Sequence, residues 1–176
     1  MANREALREL QQRLAVRMQA ARTEQRGQSW LAVECRGHGL LLPLEQAGEI
    51  FPPAALMPVP HTRDWFAGVA NLRGGLHGVV DLARFLGLPE ATAAEAAREQ
   101  TRLVAFSQTL GLNVALMVDR LAGLRGGDQL RTDDSAATVT RPAFAPSRWL
   151  DAAGRPWQSL DLAALARDEQ FLSIVA

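Results

Sequence analysis

Apolar residues Leu7, Leu10, Leu14, Met18 and Ala21 fall every three or four positions between Arg4 and Gln25, which places them on one face of a helix. Arginines 4, 8, 13, 17, 22 and 26 fill much of the remaining surface, and Gly27-Gln-Ser29 reads as a hinge to the body. An isolated helix of this length is marginal in water, so the apolar stripe predicts packing on the protein's own body or on a partner. From Trp30 the period changes to two. Residues 30–36 alternate, and the turn Gly37-His-Gly39 leads into Leu40-Leu-Leu42, the pattern of a β-hairpin in which His38 is a turn residue. Prolines 52, 53, 58 and 60 hold the next stretch extended, with Trp65 and Phe66 expected to anchor it to the core.

Glycines 68, 74, 75 and 78 give residues 68–82 the character of a joint followed by a strand, because each permits positive φ or close backbone approach. Arg73 sits between the bends and offers a fixed fork of five donors to a carboxylate or carbonyls. Val79-Val80 runs into Asp81, placed to cap a short helix from Leu82 that Gly87 closes. Residues 90–99 read as a linker or short helix. A second hairpin spans residues 101–107 and 112–119, residues 124–147 read as long connecting loops, and a third hairpin pairs 148–150 with 156–160. Val80-Asp-Leu-Ala83 resembles Leu160-Asp-Leu-Ala163, and each half opens with an alternating hairpin, so two similar small barrels are the economical architecture.

Composition narrows the chemistry. The 19 basic residues of this 176-residue chain are all arginine, which removes a Walker A loop, a Schiff-base lysine and a biotin or lipoate carrier. The acidic residues also number 19, so no net field draws the chain to nucleic acid or anionic lipid. Cys35, the single cysteine, alternates with Leu31 and Val33 and is expected in the core. No signal-peptide run or membrane-length apolar run occurs, which predicts a soluble cytoplasmic protein without direct membrane insertion. No nucleophile elbow or metal-ligand spacing is present, and the expectation is no cofactor, no metal and no catalysis. Two other classes stay open: a small barrel binding single-stranded nucleic acid, and an unrecognised hydrolase.

Val69-Ala-Asn-Leu-Arg-Gly74 followed by Val79-Val-Asp-Leu82 resembles the signature of CheW-like domains, the adaptors between chemoreceptors and a histidine autokinase. The flanking Gly48-Glu-Ile50 and Met57-Pro-Val-Pro60 stand in the same order, and the resemblance runs from about Trp30 to the C-terminus. The chain has Gly78 where the family usually has proline. The resemblance implies a mostly β fold of two small five-stranded, SH3-like barrels with short helices. It places an N-terminal helical extension at 1–28 and the domain at 29–176, with subdomains near 30–88 and 100–170. It also implies a non-enzymatic scaffold whose partners are the regulatory domain of a CheA-type histidine kinase and the cytoplasmic tip of a methyl-accepting chemoreceptor, with no nucleic acid. Gly68, Val69, Asn71, Leu72, Arg73 and Gly74 would lie at or near the groove receiving the receptor tip, with Glu49 and Ile50 on the same edge. Asn71 and Leu72 are expected to be buried there, and Arg73 to be the functional residue. The N-terminal helix and Trp30 most resemble the branch serving type IV pilus twitching systems, in arrays near the membrane.

Overall fold

The computed structural model describes residues 28–89, 100–133, 135 and 141–176. The N-terminal helix and the linker at 90–99 expected from the sequence lie outside them. The chain order is β1 (Ser29–Cys35), β2 (His38–Pro43), β3 (Ala47–Phe51), β4 (Phe66–Leu72), β5 (Gly75–Asp81), α1 (Leu82–Phe85), β6 (Arg102–Phe106), β7 (Val114–Val118), β8 (Arg120–Gly126), β9 (Leu130–Thr132), β10 (Arg148–Asp151), β11 (Pro156–Ser159), α2 (Leu162–Leu165) and α3 (Glu169–Leu172). All three predicted hairpins form, as β1–β2, β6–β7 and β10–β11. The loop expected at 124–147 is shorter than the sequence suggested, because β8 continues to Gly126 and β9 follows one 3-10 turn later.

The strands form two sheets, one of six in the order β8-β1-β2-β11-β10-β9 and one of five in the order β3-β6-β7-β5-β4. Each sheet draws strands from both halves of the chain, so neither sheet coincides with residues 30–88 or 100–170. Two parallel pairings make this interleaving, β2 with β11 and β5 with β7. The strands entering them are β11 and β5, which each then open a helix with aspartate. Asp81 accepts from the Arg84 N–H at 3.0 Å, and Asp161 from the N–H groups of Ala163 and Ala164 at 3.0 and 3.1 Å. The internal repeat is therefore a repeated strand-and-cap unit.

Three apolar clusters follow from strand alternation. Trp30, Ala32, Leu41, Leu130, Trp149 and Trp157 form a cluster on the six-stranded sheet. Ala70, Leu72, Val79, Leu103, Ala105 and Ala115 do the same for the five-stranded one. Between the sheets lies a shared core that includes Val33, Cys35, Val80, Leu116, Leu162 and Phe171. Trp65 belongs to this core, edge-on to Phe85 at 5.3 Å and stacked on Phe171 at 6.2 Å. Burial pushes the Cys35 thiol well above its ordinary value, an unreactive core residue as its position in β1 suggested.

One buried charge is neutralised by design of the sheet. Glu34 points to the end of the six-stranded sheet's interior, where Arg120 grips it through two 2.6 Å hydrogen bonds and Arg155 adds a third contact at 2.6 Å. Arg155 also lies over the Trp157 ring, 4.8 Å from its centroid. That ring in turn rests on Gly39, where a Cβ would stand 2.6 Å from it. Indole and backbone N–H groups donating to Asp151, led by the Trp157 Nε1 at 3.0 Å, hold that carboxyl below its usual range.

Candidate functional site

The stretch read as a joint is a hairpin. β4 and β5 are paired from Phe66↔Val80 to Leu72↔Gly75, leaving Arg73 and Gly74 as the two-residue loop. Both loop residues have positive φ, 49° and 83°, the requirement of the tight turn whose twist matches a β-ribbon. The Asn71 side chain accepts from the Gly74 N–H at 2.8 Å, closing the loop from one side. Leu72 is buried as expected, whereas Asn71 is exposed. Its polar side chain serves the turn rather than the core.

Of the four glycines, 68 and 74 use positive φ. Gly68 sits at 127°, where a Cβ would lie 2.4 Å from the Met57 carbonyl oxygen. The neighbouring Val69 exchanges two backbone hydrogen bonds with Met57, of 2.8 and 2.9 Å. Gly68 thus lets the extended proline-rich segment close on the edge of β4. Gly78 is needed for a different contact, since its Cα faces the Phe66 ring with room for a Cβ only at 3.1 Å. Its N–H donates to the Asn113 carbonyl at 3.0 Å, a hydrogen bond that the family's usual proline cannot make.

Glu49 arrives from β3, at the opposite end of the sheet order. The β3–β6 register shifts between Ala47 and Ile50, a bulge that includes Gly48 and Glu49. Because the sheet curls, the Arg73 guanidinium reaches the Glu49 carboxylate at 2.8 Å, and the Phe51 and His77 rings lie 6.4 Å apart. The structure therefore brings Glu49 and Arg73 into direct contact. They remain in water, with side chains 41% and 76% exposed respectively. Ile50 and Leu76 beside them are also exposed large apolar residues.

Arg36 provides an internal comparison. It occupies the same position in the β1–β2 turn, with φ 48° before Gly37 at 79°. Its guanidinium, however, donates to the Leu88 carbonyl and ties the hairpin to the loop after α1. Arg73 carries the same backbone cost, about 1–2 kcal/mol against glycine, while presenting its side chain at the surface.

The arrangement is suited to recognition. Among the described residues no group of three His, Cys, Asp or Glu is placed to hold a metal, and no helix is long and apolar enough to cross a membrane. A hydrated ion pair flanked by apolar side chains suits a protein surface presenting complementary charge and a hydrophobic contact.

Residues 29–170 match the family described as CheW-like domain. Protein PilI of Pseudomonas aeruginosa is 31% identical over 100 residues, covering 56% of this chain and 53% of that protein. Chemotaxis protein CheW of Thermotoga maritima is 27% identical over 94 residues, covering 53% of this chain and 58% of its own length. The chain thus spans little more than half the length of the curated relatives it matches. Among solved structures, the scaffolding protein TtCheW from Thermoanaerobacter tengcongensis superposes with a TM-score of 0.62 at 16% identity, covering 76% of this chain and 88% of that one. That likeness carries the fold, two sheets sharing a central core, and the match over residues 29–170 carries the family: this chain belongs to the CheW-like domain family.

Proposed function

We propose that the protein is a non-enzymatic adaptor coupling the cytoplasmic tip of a chemoreceptor to the regulatory domain of a CheA-type histidine kinase, in an array that controls type IV pilus twitching. The observation that carries this reading is the Glu49–Arg73 pair on a solvated rim beside Ile50 and Leu76. A receptor helix offering an acidic or carbonyl group and an apolar residue fits that rim, with Gly68, Val69, Asn71, Leu72 and Gly74 forming and positioning the hairpin behind it. Similarity to PilI supports the pilus branch, and similarity to a chemotaxis protein supports the receptor and kinase partners. The protein reaches the membrane-proximal array through these partners. Each contact is modest, and assembly supplies avidity.

The nucleic-acid alternative lacks a stacking platform. All four tryptophans are buried, whereas a single-strand groove needs exposed aromatic faces. Calorimetric titration with the kinase regulatory domain and with the receptor tip of the same organism tests the adaptor reading. Saturable binding of both is expected; a folded sample that binds neither overturns it.

A further inference from the structure

A groove of about 850 Å³ opens between the β1–β2 turn, the loop after α1 and the β10–β11 hairpin. Its apolar wall is made by Leu40 of β2 and Leu160 after β11, together with Leu86 and Leu88 beyond α1. Hydrogen bonds fix that wall before anything enters. The Gln158 side-chain amide donates to the carbonyls of Ser147, Ser159 and Ala145 at 2.8, 3.0 and 3.1 Å, pinning the segment before β10 to β11. On the other side the Arg36 guanidinium, donating to the Leu88 carbonyl, pins the loop after α1 to the β1–β2 turn. A preformed concavity of this size with an apolar wall has the build of a small-molecule site.

The charge around the wall selects the occupant. Arg141, Arg148 and Arg155 line the groove, and among the described residues no aspartate or glutamate does. The carboxylates behind these arginines are shared. Glu34 binds Arg155 and Arg120 together, each at 2.6 Å, and Asp133 pairs with Arg148 at 3.1 Å while the Arg141 charge also acts on it. Two carboxylates thus serve four guanidiniums, which leaves the groove with an excess of positive charge. Each guanidinium stays charged and carries five donors, more than its share of one carboxylate can accept.

We propose that this groove binds a small organic anion, whose carboxylate, sulfonate or phosphate head is taken by the three arginines and whose apolar body lies against Leu40, Leu86, Leu88 and Leu160. Such a ligand touches the hairpin ends of the six-stranded sheet and the loop that leaves the five-stranded sheet through α1, so it adds a contact between the two. The groove shares no residue with the Glu49–Arg73 rim, and the assignment holds or fails independently of which protein partners the chain binds.

Two fluorescent dyes titrated into the full chain test it: anilinonaphthalene sulfonate, and phenylnaphthylamine, which has the same rings without the sulfonate. Saturable one-to-one binding of the sulfonate is expected, at least about tenfold tighter than that of the neutral dye, the effect of a charge-assisted hydrogen bond. Arg148→Gln should weaken the sulfonate by about the same factor and leave the neutral dye unchanged. His38→Glu supplies a second variant that does not disturb Asp133, because His38 is exposed in the β1–β2 turn and lines the groove. It sets a like charge beside the bound anion and should also weaken the sulfonate alone. Absence of saturable sulfonate binding, equal affinity for the two dyes, or sulfonate affinity unchanged in either variant overturns the proposal.

Discussion

Gly68→Ala is expected to destabilise the protein by about 2–5 kcal/mol, combining the cost of an L-residue at an unfavourable φ with a forced backbone shift. The new methyl would stand 2.4 Å from the Met57 carbonyl oxygen, a backbone atom held by its own pairing with Val69, and so unable to rotate away as a side chain would. For a domain of this size the loss corresponds to a fall in Tm of roughly 5–15 °C. Gly74→Ala is the matching control. It also has positive φ, 83°, but no atom lies within 4 Å of the added carbon, so its cost should stay near about 1 kcal/mol. Thermal unfolding of both variants checks the difference. Equal shifts would mean that the Met57 contact is slack and that Gly68 serves conformation alone.

Arg73→Glu should behave in the opposite way, sparing stability and removing a contact. The Arg73–Glu49 pair is largely hydrated, and such pairs contribute about 0–1 kcal/mol to folding. The substitution replaces attraction by repulsion at the rim and removes the fork of donors offered to a partner. Affinity for the receptor tip should fall roughly 10- to 100-fold, the effect of losing an interface anchor, while Tm moves little. Adding Glu49→Arg restores the internal pair with its direction reversed. If the pair acts only by shaping the rim, the double variant recovers binding; if Arg73 touches the partner directly, it does not. Unchanged affinity in Arg73→Glu would remove the rim from the receptor interface.

Much of the fold was legible because its information is local. Alternation fixed the strands of three hairpins, and the aspartates after β5 and β11 announced the helices they cap. Asp168, which accepts from the Phe171 N–H at 3.0 Å, is a third such cap, signalled by the same residue type before a short helix. Sheet membership was not legible. The parallel pairings of β2 with β11 and β5 with β7 join residues far apart in the chain, and no turn chemistry encodes them. Glycine licenses several conformations, so the glycine-rich sequence alone does not separate a joint from a strand. Only pairing with β5 shows that residues 68–72 are strand and that the bend is confined to Arg73 and Gly74.

The candidate site shows the same division. Arg73 stood out by its chemistry between glycines, and its turn conformation follows from the hairpin. Its meeting with Glu49 depends on the curl of a sheet and on a one-residue bulge, neither of which periodicity reports. Asn71, expected to be buried with Leu72 at the joint, is exposed. In a strand the two face opposite sides, and Leu72 takes the core while Asn71 holds the turn.

An adaptor must hold its two partners at once, on separate surfaces. Sedimentation velocity of the protein mixed with the kinase regulatory domain and the receptor tip tests this most directly. The expected result is a species containing all three components, with each partner's affinity undiminished by the other. Mutual displacement, in which saturating receptor tip releases the kinase domain, would contradict it and leave a binding module with a single shared site.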